Sequence, residues 1–206
     1  MHTNYDRKLF IKTTNRSMPV DTSSHYHPYE ATSYPVLHTL FSAYKLEESD
    51  GFVDFGCGKG RLLFYVHNRF RSSVTGIEMN KQLYKKTIKN KMNYLINTKR
   101  NGDSIQVKCC LAEAYKVRED DNKFYFFNPF SVQIFKDVIR NILFSVEKQP
   151  REVDVILYYP PQEYIDYLQT ESRLKLVQEI KVPKLYNLNQ NERFLIYRIQ
   201  FHNDKK

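Results

Sequence analysis

The chain has 206 residues, 41% of them hydrophobic, and a formal net charge of +9. That length suits one domain with a full-sized core, and no 18-residue apolar run or signal-peptide pattern is present, so membrane-spanning and exported readings are set aside. The three cysteines, Cys57, Cys109 and Cys110, make neither a disulfide framework nor a metal spacing and fit a reducing cytoplasm.

In chain order, residues 1–24 are polar and irregular, either mobile or folded over a site. Residues 1–45 read as an N-terminal segment and helix, a possible lid, and 46–206 as the main domain. Thr32 or Ser33 caps a helix with Pro35 in its first turn; Val36, Leu37, Leu40, Phe41 and Tyr44 then recur at helical spacing. A strand over about 51–55 leads to a helix over 59–70, a strand over 73–78 and a helix over 80–98. A strand over 104–111 follows, with Cys109 and Cys110 inside it. The apolar run Phe124 to Phe127 reads as a buried strand, and Val132, Phe135, Val138, Ile139, Ile142 and Leu143 mark the inner stripe of a helix that starts near Ser131. A strand covers Val153 to Tyr159, a short helix follows Pro161, and two β-prone runs, 176–182 and 193–201, flank the polar stretch 187–192 as a closing hairpin. Strands that alternate with helices predict a doubly wound α/β domain: a mostly parallel sheet covered on both faces.

One octapeptide carries chemistry. Val53-Asp54-Phe55-Gly56-Cys57-Gly58-Lys59-Gly60 places an acid and three alternate glycines between a strand and a helix. Glycines permit positive φ and leave the main chain bare, and the following helix offers unpaired N–H groups. Dinucleotide sites space their glycines G-x-G-x-x-G to seat a pyrophosphate. The G-x-G-x-G spacing here disfavours a nicotinamide-dependent oxidoreductase, and Asp54 can face an ammonium group. This segment resembles the first motif, D/E-x-G-x-G-x-G, of the class I S-adenosylmethionine-dependent methyltransferases. The resemblance spans about 50–201 and implies a seven-stranded sheet ending in an antiparallel hairpin. S-adenosylmethionine is the implied cofactor, held by Asp54, Gly56, Gly58 and Gly60. Glu78, 18 residues beyond Gly60, stands where such folds bind both ribose hydroxyls; its alternative role is a charge at a helix start. Glu113 is the nearest carboxylate for the adenine amino group. Tyr29 and Thr32 precede the first strand, on a segment that could cover the methionine end.

Asn128-Pro129-Phe130 follows the fourth strand and resembles, one proline short, the N/D-P-P-Y/F motif of enzymes that methylate planar nitrogens. The resemblance implies that the Asn128 side-chain oxygen and a carbonyl near Pro129 accept the hydrogens of the acceptor NH₂, while Phe130 stacks on it. Asn-Pro is also a common turn signal. Histone-lysine methyltransferases outside the SET class carry an asparagine segment here too, so the acceptor is an RNA base or a protein side chain in preference to a small molecule. Tyr159 and Pro160 could line the acceptor's mouth or make a rigid exit turn. C5-methylation is set aside for want of a placed cysteine, and 2′-O-methylation because Asn128 stands where its aspartate belongs. From Lys81 to Arg100 there are seven basic residues and no acid; this is a solvated face or the footprint of RNA, which makes a basic RNA-binding module the alternative function. His25 and His27, without further ligands, read as surface residues, and neither a metal nor a membrane partner is expected.

Overall fold

The computed structural model describes residues 2–14 and 26–200. Its elements are α1 (His2–Lys8), α2 (Tyr34–Ala43), β1 (Gly51–Phe55), α3 (Arg61–Phe70), β2 (Ser73–Ile77), α4 (Lys81–Thr98), β3 (Ile105–Lys108), β4 (Asp121–Phe126), α5 (Val132–Lys148), β5 (Asp154–Tyr158), α6 (Gln162–Thr170), β6 (Leu174–Lys181) and β7 (Arg193–Ile199). A single 3-10 turn, Ala112–Ala114, lies between β3 and β4.

The seven strands run in the order β3-β2-β1-β4-β5-β7-β6. Pairing is parallel from β3 through β5, and β7 inserts antiparallel between β5 and β6. Successive side chains of β1 point to opposite faces. Phe52 joins Leu37, Leu40 and Phe41 of α2 and Leu63 and Phe64 of α3 in one core. Val53 and Phe55 join Phe124, Phe126 and the inner stripe of α5 in the other. Aromatics fill both layers in place of the absent tryptophan: Phe55 stacks on Phe126 at 4.9 Å, and Phe135 on Tyr164 at 3.7 Å. Each such buried ring contributes about 1.5–3 kcal/mol. The chain turns from β1 toward β2 on one side and reaches β4 on the other, so the carboxyl ends of β1 and β4 flank the crevice where ligands bind in open α/β sheets.

Several boundaries differ from the sequence expectations for physical reasons. Residues 2–14 are not irregular throughout: α1 forms, and Leu9 and Ile11 are buried in the α2–α3 core. The part of the supposed lid at 15–25 lies outside the described residues. β3 ends at Lys108, which pairs with Ile77, the last residue of β2; with no partner beyond it, Cys109 lies exposed outside the strand and Cys110 is half-buried. β4 begins three residues earlier than its apolar run, because Asp121 and Lys123 are buried with partners: Asp121 accepts from Tyr115 and Arg118, and Lys123 donates to Asp154 at 3.2 Å. Ser33 is the N-cap of α2 but makes no side-chain cap bond.

Candidate functional site

The glycine loop leaves β1 under tight backbone control. The N–H groups of Gly56 and Cys57 both donate to the Ile77 carbonyl (2.9 and 3.0 Å), which ties the loop to the end of β2. Gly56, Gly58 and Gly60 take φ of 79°, 57° and 82°, a region closed to most side chains. The expectation of a bare glycine surface needs correction. A methyl group added at Gly56 would lie 2.7 Å from Pro129 Cβ, and one at Gly58 2.0 Å from the Tyr29 ring; at Gly60 it would meet Phe64 at 2.7 Å. The missing side chains thus admit the protein's own residues and bring the β4 loop and the N-terminal segment onto the β1 loop.

Asp54 sits in β1, two residues before Gly56, and is 5% exposed. Burial and the nearby Glu78 carboxylate raise its pKa from the ordinary 3.8 to about 8, with no cation among the causes to oppose them. Glu78, at the end of β2, uses Oε2 to accept the Gly58 N–H at 2.9 Å and Oε1 to accept the Asn80 N–H at 2.8 Å. Burial raises its pKa and these bonds pull it back. An ionised carboxylate has about four lone-pair positions, so Glu78 keeps acceptor capacity while it shapes the loop. Asn80, not Glu78, caps α4, accepting from Gln82 and Leu83.

At the end of β4, Asn128 has φ of 40°, and its Oδ1 is buried without a hydrogen-bond partner. Its backbone carbonyl is 2.7 Å from His27 Nδ1, and the Pro129 carbonyl accepts the His27 N–H at 3.1 Å. The carbonyl expected to share an acceptor's hydrogens is therefore already engaged, and Asn128 Oδ1 is the open group. Phe130 does not face a cleft. It is 1% exposed, meets Phe126 and Tyr26 edge-on, and its carbonyl accepts from Tyr164; a ring so packed is core, so the stacking role is withdrawn.

The remaining expected residues are spread around this centre. Tyr29 covers Gly58, donates to the Thr13 carbonyl at 3.0 Å, and carries the Lys59 ammonium 4.8 Å over its ring. Thr32 is buried, its hydroxyl 2.8 Å from that of Tyr125 and its carbonyl accepting from Arg61, so its polar groups serve the packing of α2's approach. Glu113 accepts from the Tyr26 hydroxyl at 3.1 Å and lines a groove of about 520 Å³ with Tyr115, Asn141, Phe144 and Lys148. No glycine-loop residue lines that groove. Tyr159 takes φ of 51° and accepts from Asn189 Nδ2 at 2.6 Å; Pro160 beside it is buried. His25 lies outside the described residues, and among those described no group of three His, Cys, Asp or Glu is placed to hold a metal. No described helix is long and apolar enough to cross a membrane.

Sequence reasoning missed the network that seats the N-terminal segment. Asp6 accepts from the Thr13 N–H, the Thr13 hydroxyl and the Tyr34 hydroxyl, and pairs with Arg61 at 3.8 Å. Asn90 of α4 bridges Lys12 and the glycine loop, donating to both the Lys12 and Lys59 carbonyls. No local periodicity joins residues so far apart in the chain. The one available signal was Arg61, a cation in the first turn of a helix, where the macrodipole disfavours it.

No family model and no curated protein matches the chain. Solved structures do. An RNA methyltransferase from Salinibacter ruber in complex with S-adenosyl-L-homocysteine aligns over 86% of this chain and 98% of its own, at 16% identity and TM-score 0.60. An rRNA methylase from Streptococcus thermophilus aligns over 84% and 100%, at 15% identity and TM-score 0.55. A human methyltransferase 10 domain-containing protein aligns over 98% and 94%, at 11% identity and TM-score 0.63. The likeness is one of fold: the chain has the class I methyltransferase fold, with its β5-β7-β6 antiparallel edge.

Proposed function

We propose that the protein is an S-adenosylmethionine-dependent methyltransferase that acts on a nitrogen, of an RNA base or of a protein side chain. One observation carries the reading. Asn128 Oδ1, buried without a hydrogen-bond partner, and the Asp54 carboxyl, buried near Glu78 with no cation to offset it, stand at the carboxyl ends of the adjacent strands β1 and β4, and the segments that follow these strands touch through Pro129 and Gly56. Buried polar groups are normally paired and buried carboxylates normally compensated, so the two together favour a ligand. A buried, cation-free carboxylate fits a cationic amino acid ligand, and Glu78 fits a pair of vicinal hydroxyls. When bound, S-adenosylmethionine supplies a methyl group on a cationic sulfonium. Asn128 Oδ1 accepts an N–H of the acceptor and so fixes the direction of the nitrogen lone pair; alignment, rather than a strong base, supplies the rate. A lysine acceptor must also lose its ammonium proton, which burial promotes.

The test pairs calorimetry with methyl-tritiated cofactor, using total bacterial RNA and heat-denatured lysate protein as acceptors. Asn128→Ala is expected to keep cofactor affinity and lose about 100-fold or more in transfer rate. Full transfer by that variant removes Asn128 from the chemistry, and no cofactor binding at millimolar ligand removes the enzyme.

The charge of α4 favours a second reading, an RNA-binding module on this scaffold. Lys81, Lys85, Lys86 and Lys89 are exposed on a helix without acids. On that reading, replacing Lys85, Lys86 and Lys89 with glutamine makes the log–log salt dependence of single-stranded RNA affinity shallower by about 2. An unchanged slope in a filter-binding titration rejects α4 as the contact.

A further inference from the structure

The geometry points to His27 as the positioning residue of the Asn128 turn: its main-chain N–H and ring Nδ1–H hold two successive carbonyls and so set the direction in which Asn128 presents Oδ1. The inference rests on the reading of Asn128 as the group that accepts an acceptor N–H, and adds what sets its geometry.

Asn128 carries two local costs. A non-glycine residue at φ of 40° is strained, and its buried, unpaired Oδ1 forfeits a hydrogen bond. Such a conformation persists only where its surroundings over-determine it. Residues 26–28 do so by adding a short antiparallel segment to the end of β4. Tyr26 bridges Phe130, the His27 N–H donates to the Pro129 carbonyl at 3.1 Å, and His27 Nδ1 lies 2.7 Å from the Asn128 carbonyl. On the far side, Tyr164 donates to the Phe130 carbonyl and Pro129 packs on Gly56. Of these contacts, only the ring bond reaches Asn128 itself.

A carbonyl oxygen only accepts, so Nδ1 bears the proton of this bond. The ring belongs to an exposed residue, so removing it opens no core cavity; its worth lies in that one bond. An asparagine amide nitrogen sits at the same branch position as Nδ1 and can replace it, whereas alanine cannot.

His27→Ala and His27→Asn are compared with the wild type, using methyl-tritiated S-adenosylmethionine and the same RNA and protein acceptors, with S-adenosylhomocysteine calorimetry and thermal melts as controls. His27→Ala is expected to lower the rate at saturating cofactor about 10–100-fold with cofactor affinity within about threefold, and His27→Asn to recover most of the loss. A wild-type rate in His27→Ala overturns the proposal. Equal loss in both variants also overturns it, because the ring would then act as a proton carrier. Asn128→Ala at full rate sinks the underlying reading instead, while an inactive Asn128→Ala beside a fully active His27→Ala sinks only the clamp. A second readout needs no acceptor: the ¹⁵N-detected side-chain amide signal of Asn128 is expected to shift and broaden in His27→Ala and stay in place in His27→Asn. An unmoved signal in His27→Ala overturns the clamp.

Discussion

Asp54→Asn is expected to weaken S-adenosylmethionine binding strongly and, at the same time, to stabilise the empty protein at neutral and alkaline pH. The two effects have one cause. Asp54 is 5% exposed, faces the Glu78 carboxylate, and its pKa stands at about 8 against an ordinary 3.8. The folded state therefore holds a proton that the unfolded chain releases. With more protons bound in the native state, stability falls as pH rises, starting near the unfolded value and levelling off above about pH 8. Asparagine has no such titration. The stability gap between variant and wild type should widen from pH 5 to 8 with a slope of up to about 1.4 kcal/mol per pH unit, then flatten. Urea unfolding at several pH values reads it directly. Affinity runs the opposite way: a cation bound beside Asp54 favours its ionised form, so wild-type binding weakens as pH falls below 8 while the residual binding of the variant loses that component of the pH dependence. Loss of the charged partner costs about 2–5 kcal/mol, a weakening from about 30-fold to several thousand-fold. A gap that does not change with pH, or tight binding by the variant, rejects Asp54 as an ionised ligand for a cation. On the proposed function, that instability is the cost to the empty fold of keeping a carboxylate ready for a positive partner.

The parts of this molecule that could be read from the chain are those in which local pattern and tertiary role coincide. β1, β2 and their helices announced themselves because glycines, an acid and apolar runs follow one another within 28 residues, from Gly51 to Glu78. The limits of β4 were hidden because Asp121 and Lys123 look like loop residues until Arg118 and Asp154 are in place around them. The end of β3 was hidden because it depends on where β2, its one neighbour among the described strands, stops. At the site, Asp54 and Asn128 were legible as residue types at strand ends. His27 was not, because its role comes from a bridge across 101 residues of chain. Phe130 misled for the opposite reason: an aromatic beside Asn128-Pro129 reads as a stacking surface, and only the packing of Tyr26, Phe126 and Tyr164 reveals it as core.

The largest stability loss is expected at Arg61, the residue that follows Gly60 and opens α3. Its guanidinium is buried, with Nε donating to the Thr13 hydroxyl at 2.7 Å, one Nη to the Thr32 carbonyl, and the Tyr34 ring 4.8 Å away. Asp6, equally buried, is its ionic partner at 3.8 Å. Arg61 opens α3, where a positive charge meets the positive end of the helix dipole; the Asp6 carboxylate offsets this from the other side. Arg61→Met keeps the bulk and removes the charge, leaving a buried carboxylate held only by the neutral donors Thr13 and Tyr34. Breaking a buried pair from one side costs about 3–5 kcal/mol. Adding Asp6→Asn removes the stranded charge, so the double variant should be more stable than Arg61→Met alone, with a coupling of about 1–3 kcal/mol in the cycle. Denaturant unfolding of the four proteins gives these values, and independent, additive losses reject the pairing. The functional consequence is local. Residues 9–14 reach the glycine loop through Tyr29, Asn90 and Lys59, whose ammonium donates to the Thr14 carbonyl. In Arg61→Met the Thr13 amide, bonded to Asp6 at 2.7 Å, should exchange with solvent faster than the core amides of β1 and β4, by more than the global loss explains. Parallel acceleration at all three places would instead make Arg61 a general prop of the fold, with no particular hold on the segment that covers Gly58.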